Sequence, residues 1–187
     1  LLPYSTVFPS GNLLMGAGVV PAQRVLIALQ PTPERLFELV RAHRPTILVN
    51  VPTMVNHMVS HPAAGEADLS SLRLATSAGE ALPAELYARW KELFEVELLD
   101  GLGTAEMWHV FISARPGAVR PGTMGTVVPG FEVRVTDDDG RELPDGEVGW
   151  LRVRGKARAI AYWQQMEKTM QAFQGEWYVS GDMIRRD

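Results

Sequence analysis

Hydrophobic positions follow two different rhythms along this chain, and the rhythm changes near Ser113. Before it, short continuous apolar runs alternate with stretches in which apolar residues recur every three or four positions. "RVLIAL" (Arg24 to Leu29), "PTILVNV", "SLRLATSAG" and "VELLDGLG" are the continuous runs and predict buried strands. Between them, "PTPERLFELVRAH" carries Leu36, Phe37, Leu39 and Val40 on one helical stripe, with Thr32 before Pro33 as a start signal. "PTMVNHMVSH" predicts a helix opened by Pro52, and "LPAELYARWKELF" predicts a third. Strands with unbroken apolar runs separated by helices imply a parallel sheet with helices on both faces. Ligands of such sheets bind outside the carboxyl ends of the strands.

Past Ser113 the pattern differs. "RPGAVRPGTMGTVVPG" has Pro or Gly every few residues, which excludes a long helix. "FEVRVTDDDGRELPDGEVGWLRVRG" alternates apolar and polar residues around turns at Asp139-Gly140 and Asp145-Gly146. "EWYVSGDMIRRD" reads as a further strand and "EKTMQAF" as a short helix. The expected architecture is α/β: a parallel-sheet subdomain over 1–112, followed by a smaller antiparallel β subdomain, a distorted barrel, over 113–187.

Composition narrows the chemistry. The chain has 187 residues, 46% hydrophobic and 21% charged, as an ordinary globular protein has. There is no cysteine, which excludes disulfides, thiolate zinc sites and a cysteine nucleophile. A net charge of −4 gives no basic surface for nucleic acid. No apolar run spans a bilayer and no signal pattern opens the sequence, so a cytoplasmic setting is expected. The sequence starts without Met inside an apolar stretch and stops after a strand-like run, so a piece of a longer protein is expected. His57 and His61 have helical spacing but no third ligand, and a surface helix accounts for them better than zinc. No "GxSxG" and no "GxxxxGK[ST]" occurs.

Two strand ends carry residues able to do more than turn the chain. In "DGLGTAEMWH", Gly101 and Gly103 permit close backbone approach, and Thr104 is a good N-cap for a helix through Ala105, Glu106 and Met107. A helix N-terminus suits a phosphate, and Glu106 offers oxygen to a hard cation. Trp108 and His109 then fall around the same short helix. Taken alone, a plain strand-to-helix turn explains this stretch better. "SAGEALP" (Ser77 to Pro83) is equally ambiguous: Glu80 is either a solvated loop acid, or a flat ring lies along Gly79-Glu80-Ala81. "EWYVSGD" ends in Gly-Asp, where Asp182 can accept from a ribose diol or simply sit in a turn.

Order and spacing change the odds. "SAGEALP", "DGLGTAEM", "RPGTMGTVVPGFEVRV", "GEVGWLRVRG", "AYW" and "EWYVSGD", in this order, resemble the adenylate-forming superfamily of acyl- and aryl-CoA ligases, luciferases and peptide-synthetase adenylation domains. The resemblance runs from about Pro31 to Asp182. "DGLGTAEMWHVFIS" with "RPGAVRPGTMG" is most similar to benzoate-CoA ligases. It implies that ATP activates a carboxylic acid as an acyl-adenylate and that coenzyme A then displaces AMP. It implies that Gly79, Glu80, Ala81, Asp100, Gly101 and Leu102 border adenine. Thr104 and Ala105 would face the α-phosphate, Glu106 would bind Mg²⁺, and Asp182 would hold the ribose. Gly103 would border both nucleotide and acid, and Phe8, Ala78 and His109 would line the acid pocket.

The sequence departs from the family in four places. Leu102 stands where an aromatic residue is usual, Ala105 where Thr is, Ser180 where Thr is, and Ala161 where Gly precedes Tyr162. The family's Gly-rich phosphate loop with its lysine would precede Leu1, and its mobile C-terminal domain would follow Asp187, so the chain alone is expected to be inactive. The competing readings are a short nucleotide- or partner-binding module, a fatty acyl-CoA synthetase, and a peptide-synthetase adenylation domain. The last is weakened because no Asp for a substrate amine lies between Leu1 and Asn12.

Overall fold

The computed structural model describes residues 31–108 and 110–187, together with two short parallel-paired strands, β1 (Leu2–Pro3) and β2 (Ile27–Ala28). Phe8 and His109, expected in the acid pocket, lie outside the described residues. The chain folds into two compact units, one made of 1–103 and 112–126, the other of 104–111 and 127–187.

In the first unit, helices and parallel strands alternate as the apolar rhythm predicts. Helix α1 (Pro33–His43) begins at Thr32, whose Oγ1 accepts from the Arg35 N–H. It ends where Arg44 turns left-handed. Strand β3 (Ile47–Asn50) leads to α2 (Pro52–Ser60), β4 (Leu74–Ala78) to α3 (Ala84–Phe94), and β5 (Leu98–Gly103) follows. The sheet order is β3-β4-β5, then β6 (Val110–Ser113) and β7 (Thr126–Val127).

Register explains the core. Leu48, Ala75 and Leu98 are in line across β3, β4 and β5, fully buried with Leu36, Val40, Val55, Met58 and Trp90 of the helices. Trp90 is satisfied there because its Nε1–H donates to the Val96 carbonyl at 3.0 Å. Two residues further along each strand, on the same face, the row becomes polar: Asn50, Ser77 and Asp100. All three are buried. The parallel sheet therefore changes from apolar to polar at its carboxyl ends.

The second unit is an antiparallel sheet in the order β10-β11-β9-β8, formed by β8 (Phe131–Thr136), β9 (Val148–Gly155), β10 (Phe173–Gln174) and β11 (Trp177–Arg185). Alternation gives it one apolar face, where Val135, Leu151, Val153 and Tyr178 are buried. On the other face Arg154 pairs with Glu132 and Glu176, and the Arg134 and Arg154 guanidiniums lie 4.5 and 5.1 Å from the Trp177 ring. A short helix α4 (Met166–Ala172) precedes β10. Between Val179 and Met183 the pairing of β11 with β9 shifts register, so Ser180 to Asp182 sit in a bulge. Bulges re-aim side chains that a regular ladder would hold in its pleat.

Candidate nucleotide-binding site

In the first unit the structure brings "SAGEALP" and "DGLG" side by side. Ala78 and Gly101 are register partners at the ends of β4 and β5. Gly79 follows with φ +95°, a backbone state that favours glycine, so the strand can turn immediately at its end. Gly79, Glu80 and Ala81 are exposed there. Glu80 is not merely a solvated acid. Its Oε2 accepts from the Thr53 N–H at 3.2 Å and the Thr53 hydroxyl at 2.6 Å, at the first turn of α2. A carboxylate there satisfies an orphan donor and complements the helix dipole.

Asp100 behaves differently from its exposed neighbours. The residue is only 7% exposed, and Oδ1 has no hydrogen-bond partner. Burial pushes the carboxyl up to about 6, against a smaller downward pull from the Gly101 and Leu82 backbone N–H groups. Leu82 belongs to the neighbouring "SAGEALP" stretch, so Asp100 ties one motif to the other. Ser77, its partner across β4–β5, also has a buried hydroxyl without a partner. Leu102 and Gly103 remain half-buried at the strand end.

In the second unit, the short helix expected through Ala105, Glu106 and Met107 with Thr104 at its N-cap position is present in a tighter form. Ala105 to Met107 form a single 3-10 turn, and the Thr104 side chain makes no capping bond. Trp108 ends the turn at φ +69°, and β6 starts at Val110. Three residues of turn have no helical dipole to offer a phosphate. Capping chemistry marks where a helix can start, not how far it runs.

What the turn does provide is a placed carboxylate. The Tyr162 hydroxyl donates to Glu106 Oε1 at 2.7 Å, and the Ala159 N–H donates to the Glu106 carbonyl at 2.6 Å. Burial, with Glu106 as acceptor, pushes the Tyr162 hydroxyl up to about 12, so it remains a donor at neutral pH. Burial and the Glu106 charge also raise Tyr178. The Tyr178 hydroxyl lies close to Thr104 and Glu106, yet Thr104 Oγ1 is buried with no partner at hydrogen-bond geometry. Ala105 is exposed. In the bulge of β11, the Ser180 hydroxyl donates to Asp182 Oδ2 at 2.5 Å, and Ser180 Oγ accepts from the Asp182 N–H at 2.9 Å. Asp182 is thus held out of the ladder with its other oxygen available.

Tyr162 and Tyr178 carry no signal of their own in the sequence. Both stand inside quoted motifs, "AYW" and "EWYVSGD", but only the fold shows that each approaches Glu106. Among the described residues no group of three His, Asp or Glu side chains is placed to hold a metal. No described helix is long and apolar enough to cross a membrane.

Comparison with known proteins matches these motifs to a family. The AMP-binding enzyme family profile matches residues 2–163. The chain is 44% identical over 173 residues to the benzoate–CoA ligase of Thauera aromatica, covering 92% of this chain and 33% of that protein. It is 38% identical to a 4-hydroxybenzoate–CoA/benzoate–CoA ligase of Rhodopseudomonas palustris, again over 33% of that protein. The chain therefore spans about a third of the length of the curated relatives it matches. A benzoate CoA ligase from Burkholderia xenovorans LB400 superposes with a TM-score of 0.81 at 43% identity, covering 88% of this chain and 34% of that one. An anthranilate CoA ligase in complex with anthranoyl-AMP gives 0.83 at 40%, covering 86% and 32%. The ordered motifs, the fold that carries them and the match over residues 2–163 place this chain in the family of AMP-binding enzymes.

Proposed function

We propose that the whole protein is an ATP-dependent ligase that activates a benzoate-like aromatic acid as its acyl-adenylate and passes the acyl group to coenzyme A. The observation that carries this reading is the 44% identity to a benzoate–CoA ligase across 92% of the chain. In the first step a carboxylate oxygen of the acid attacks the α-phosphorus of ATP and pyrophosphate leaves. In the second, the coenzyme A thiolate attacks the acyl carbon and AMP leaves. Neither step asks for a covalent nucleophile from the protein. Catalysis of this kind is positioning and charge neutralisation.

The residues take roles consistent with their surroundings. Gly79, Glu80 and Ala81, exposed after β4, and Leu102, half-buried on β5, border the adenine. Asp100 contributes through its main chain and by holding Leu82, because its carboxyl is buried. Asp182 receives the ribose hydroxyls. Thr104 carries the hydroxyl contact to phosphate that Ala105 cannot make, and its unpartnered Oγ1 supports that assignment. Ala78 and Gly103 line the acid pocket, to which Phe8 and His109, outside the described residues, are assigned by the sequence resemblance alone.

The residues fit a magnesium ion that arrives on the nucleotide rather than in a cage of its own. Mg²⁺ takes one or two carboxylates, substrate phosphates and water, and Glu106 supplies one carboxylate beside the unpartnered Thr104 hydroxyl. When bound, the ion would neutralise charge on the phosphate oxygens. We infer a cytoplasmic protein acting on small molecules, with no nucleic-acid or membrane partner. The test is pyrophosphate release and thioester formation by the whole protein with ATP, coenzyme A and a panel of benzoates, fatty acids and amino acids. Benzoates are expected to turn over at least about tenfold faster in kcat/KM than any fatty acid. Preference for a fatty acid or an amino acid would overturn the substrate assignment. Glu106→Gln is expected to lower metal-dependent adenylate formation about 100-fold or more.

A further inference from the structure

Glu106 sits in a turn too short to hold its own side chain. The 3-10 segment has three residues, and a glutamate has three rotatable bonds between backbone and carboxylate. Yet one oxygen of that carboxylate is fixed, by the Tyr162 hydroxyl at 2.7 Å. The loop bearing Tyr162 grips the same residue a second time, through the Ala159 N–H to the Glu106 carbonyl at 2.6 Å. Tyr162 is in turn held from two further sides. Its N–H donates to Thr169 Oγ1 of α4 at 3.0 Å, and its ring packs 5.3 Å from Phe173, which itself lies 5.6 Å from Tyr178. A side chain pinned at both main chain and carboxylate by a loop that is itself pinned is the arrangement by which outer groups orient a ligand.

We propose that Tyr162 is a positioning residue for Glu106: its hydroxyl occupies one lone pair of Oε1 and so presents the rest of the carboxylate to a hard cation in a single orientation. The proposal rests on the metal role given to Glu106 above. An ionised carboxylate has about four lone-pair sites, so the bond from Tyr162 leaves acceptor capacity for a cation. The phenol must be a donor for this, and its ring packing keeps it in place without Glu106. Tyr162→Phe removes the hydroxyl alone and leaves the contact with Phe173.

The experiment uses the whole protein and Mn²⁺ as the probe, with binding in the presence of a non-hydrolysable ATP analogue followed by electron paramagnetic resonance. Tyr162→Phe is expected to weaken Mn²⁺ about 10- to 100-fold, the usual consequence of losing an outer-shell partner. The Mg²⁺ concentration for half-maximal pyrophosphate release should rise in parallel, while kcat at saturating Mg²⁺ falls less than about threefold. Thr169→Val, which loosens the Tyr162 backbone without touching Glu106, should weaken Mn²⁺ by a smaller factor and keeps the idea testable if the first variant folds poorly. A merely structural bond would lower the melting temperature and leave metal affinity alone. If Tyr162→Phe and Thr169→Val bind Mn²⁺ as the unaltered protein does while Glu106→Gln does not, the positioning role is overturned and the metal role stands. If Glu106→Gln also binds Mn²⁺ normally, the metal role falls and the positioning role falls with it.

Discussion

In the function proposed above, Thr104 takes the phosphate contact that Ala105 cannot make. The fold gives each a different situation: Ala105 is exposed, while the Thr104 hydroxyl is buried and lacks a partner. A buried unpartnered hydroxyl costs stability, so its removal by a residue of the same shape should not unfold the protein. Thr104→Val is expected to leave the thermal midpoint unchanged or slightly raised and to weaken ATP about tenfold. Loss of stability with full ATP affinity would show that the hydroxyl serves the fold. Asp100 makes a similar trade, with a pH dependence added. Its folded-state carboxyl is raised from the usual 3.8 to about 6, so the folded form holds the proton more tightly than the unfolded chain. This group's contribution is therefore fully present below about pH 4, declines as pH rises to about 6, and is constant and unfavourable above, by at most about 3 kcal/mol. Asp100→Asn should be about 1–3 kcal/mol more stable than the parent at pH 8, with the difference vanishing towards pH 4. Urea denaturation at both pH values measures it, and a difference that ignores pH would discard the burial argument.

Turns rather than strands set the limits of what was readable at the level of elements. Helices α1, α2 and α3 begin at Pro33, Pro52 and Ala84, as start signals and apolar stripes indicate, and β3, β4 and β5 fall within the predicted runs. Those segments were legible because burial imposes a period on the sequence. The stretch after Thr104 was not, since Gly, Thr and Glu permit a helix without requiring one. The bulge at Ser180 to Asp182 was also hidden, because a register shift depends on the partner strand β9. Gly125, in "RPGTMG", shows a constraint of the same hidden kind. It has φ +95°, and a Cβ there would lie 2.2 Å from the Ala114 nitrogen and the Ser113 carbonyl oxygen. Both obstacles are main chain at the end of β6 and cannot rotate away. Gly125→Ala is expected to destabilise the protein by about 3 kcal/mol or more. A melting temperature within a degree or two of the parent would contradict that close approach.

At the scale of the molecule, the alternation before Ser113 and the antiparallel pattern after it announced an α/β part and a β part. The path of the chain was less visible. It leaves the first unit after Gly103, returns at Ile112 and leaves again after Thr126, because apolar rhythm marks a strand without naming the sheet it joins. The residues assigned to the nucleotide include four carboxylates, Glu80, Asp100, Glu106 and Asp182, and no lysine or arginine. The chain carries a net charge of −4, and a polyphosphate adds more of the same sign. Under the proposed function, positive charge for ATP would come from a metal ion and from protein segments outside these motifs. Two outcomes are expected. The 187-residue chain by itself should form no acyl-CoA from benzoate, ATP, Mg²⁺ and coenzyme A. In the whole protein, EDTA should weaken ATP more than it weakens AMP, whose single phosphate brings less negative charge against the same carboxylates. Calorimetric titration of both nucleotides with and without Mg²⁺ measures this difference. Equal losses would mean that the metal acts on the protein and not on the polyphosphate, and the role given to Glu106 would have to change.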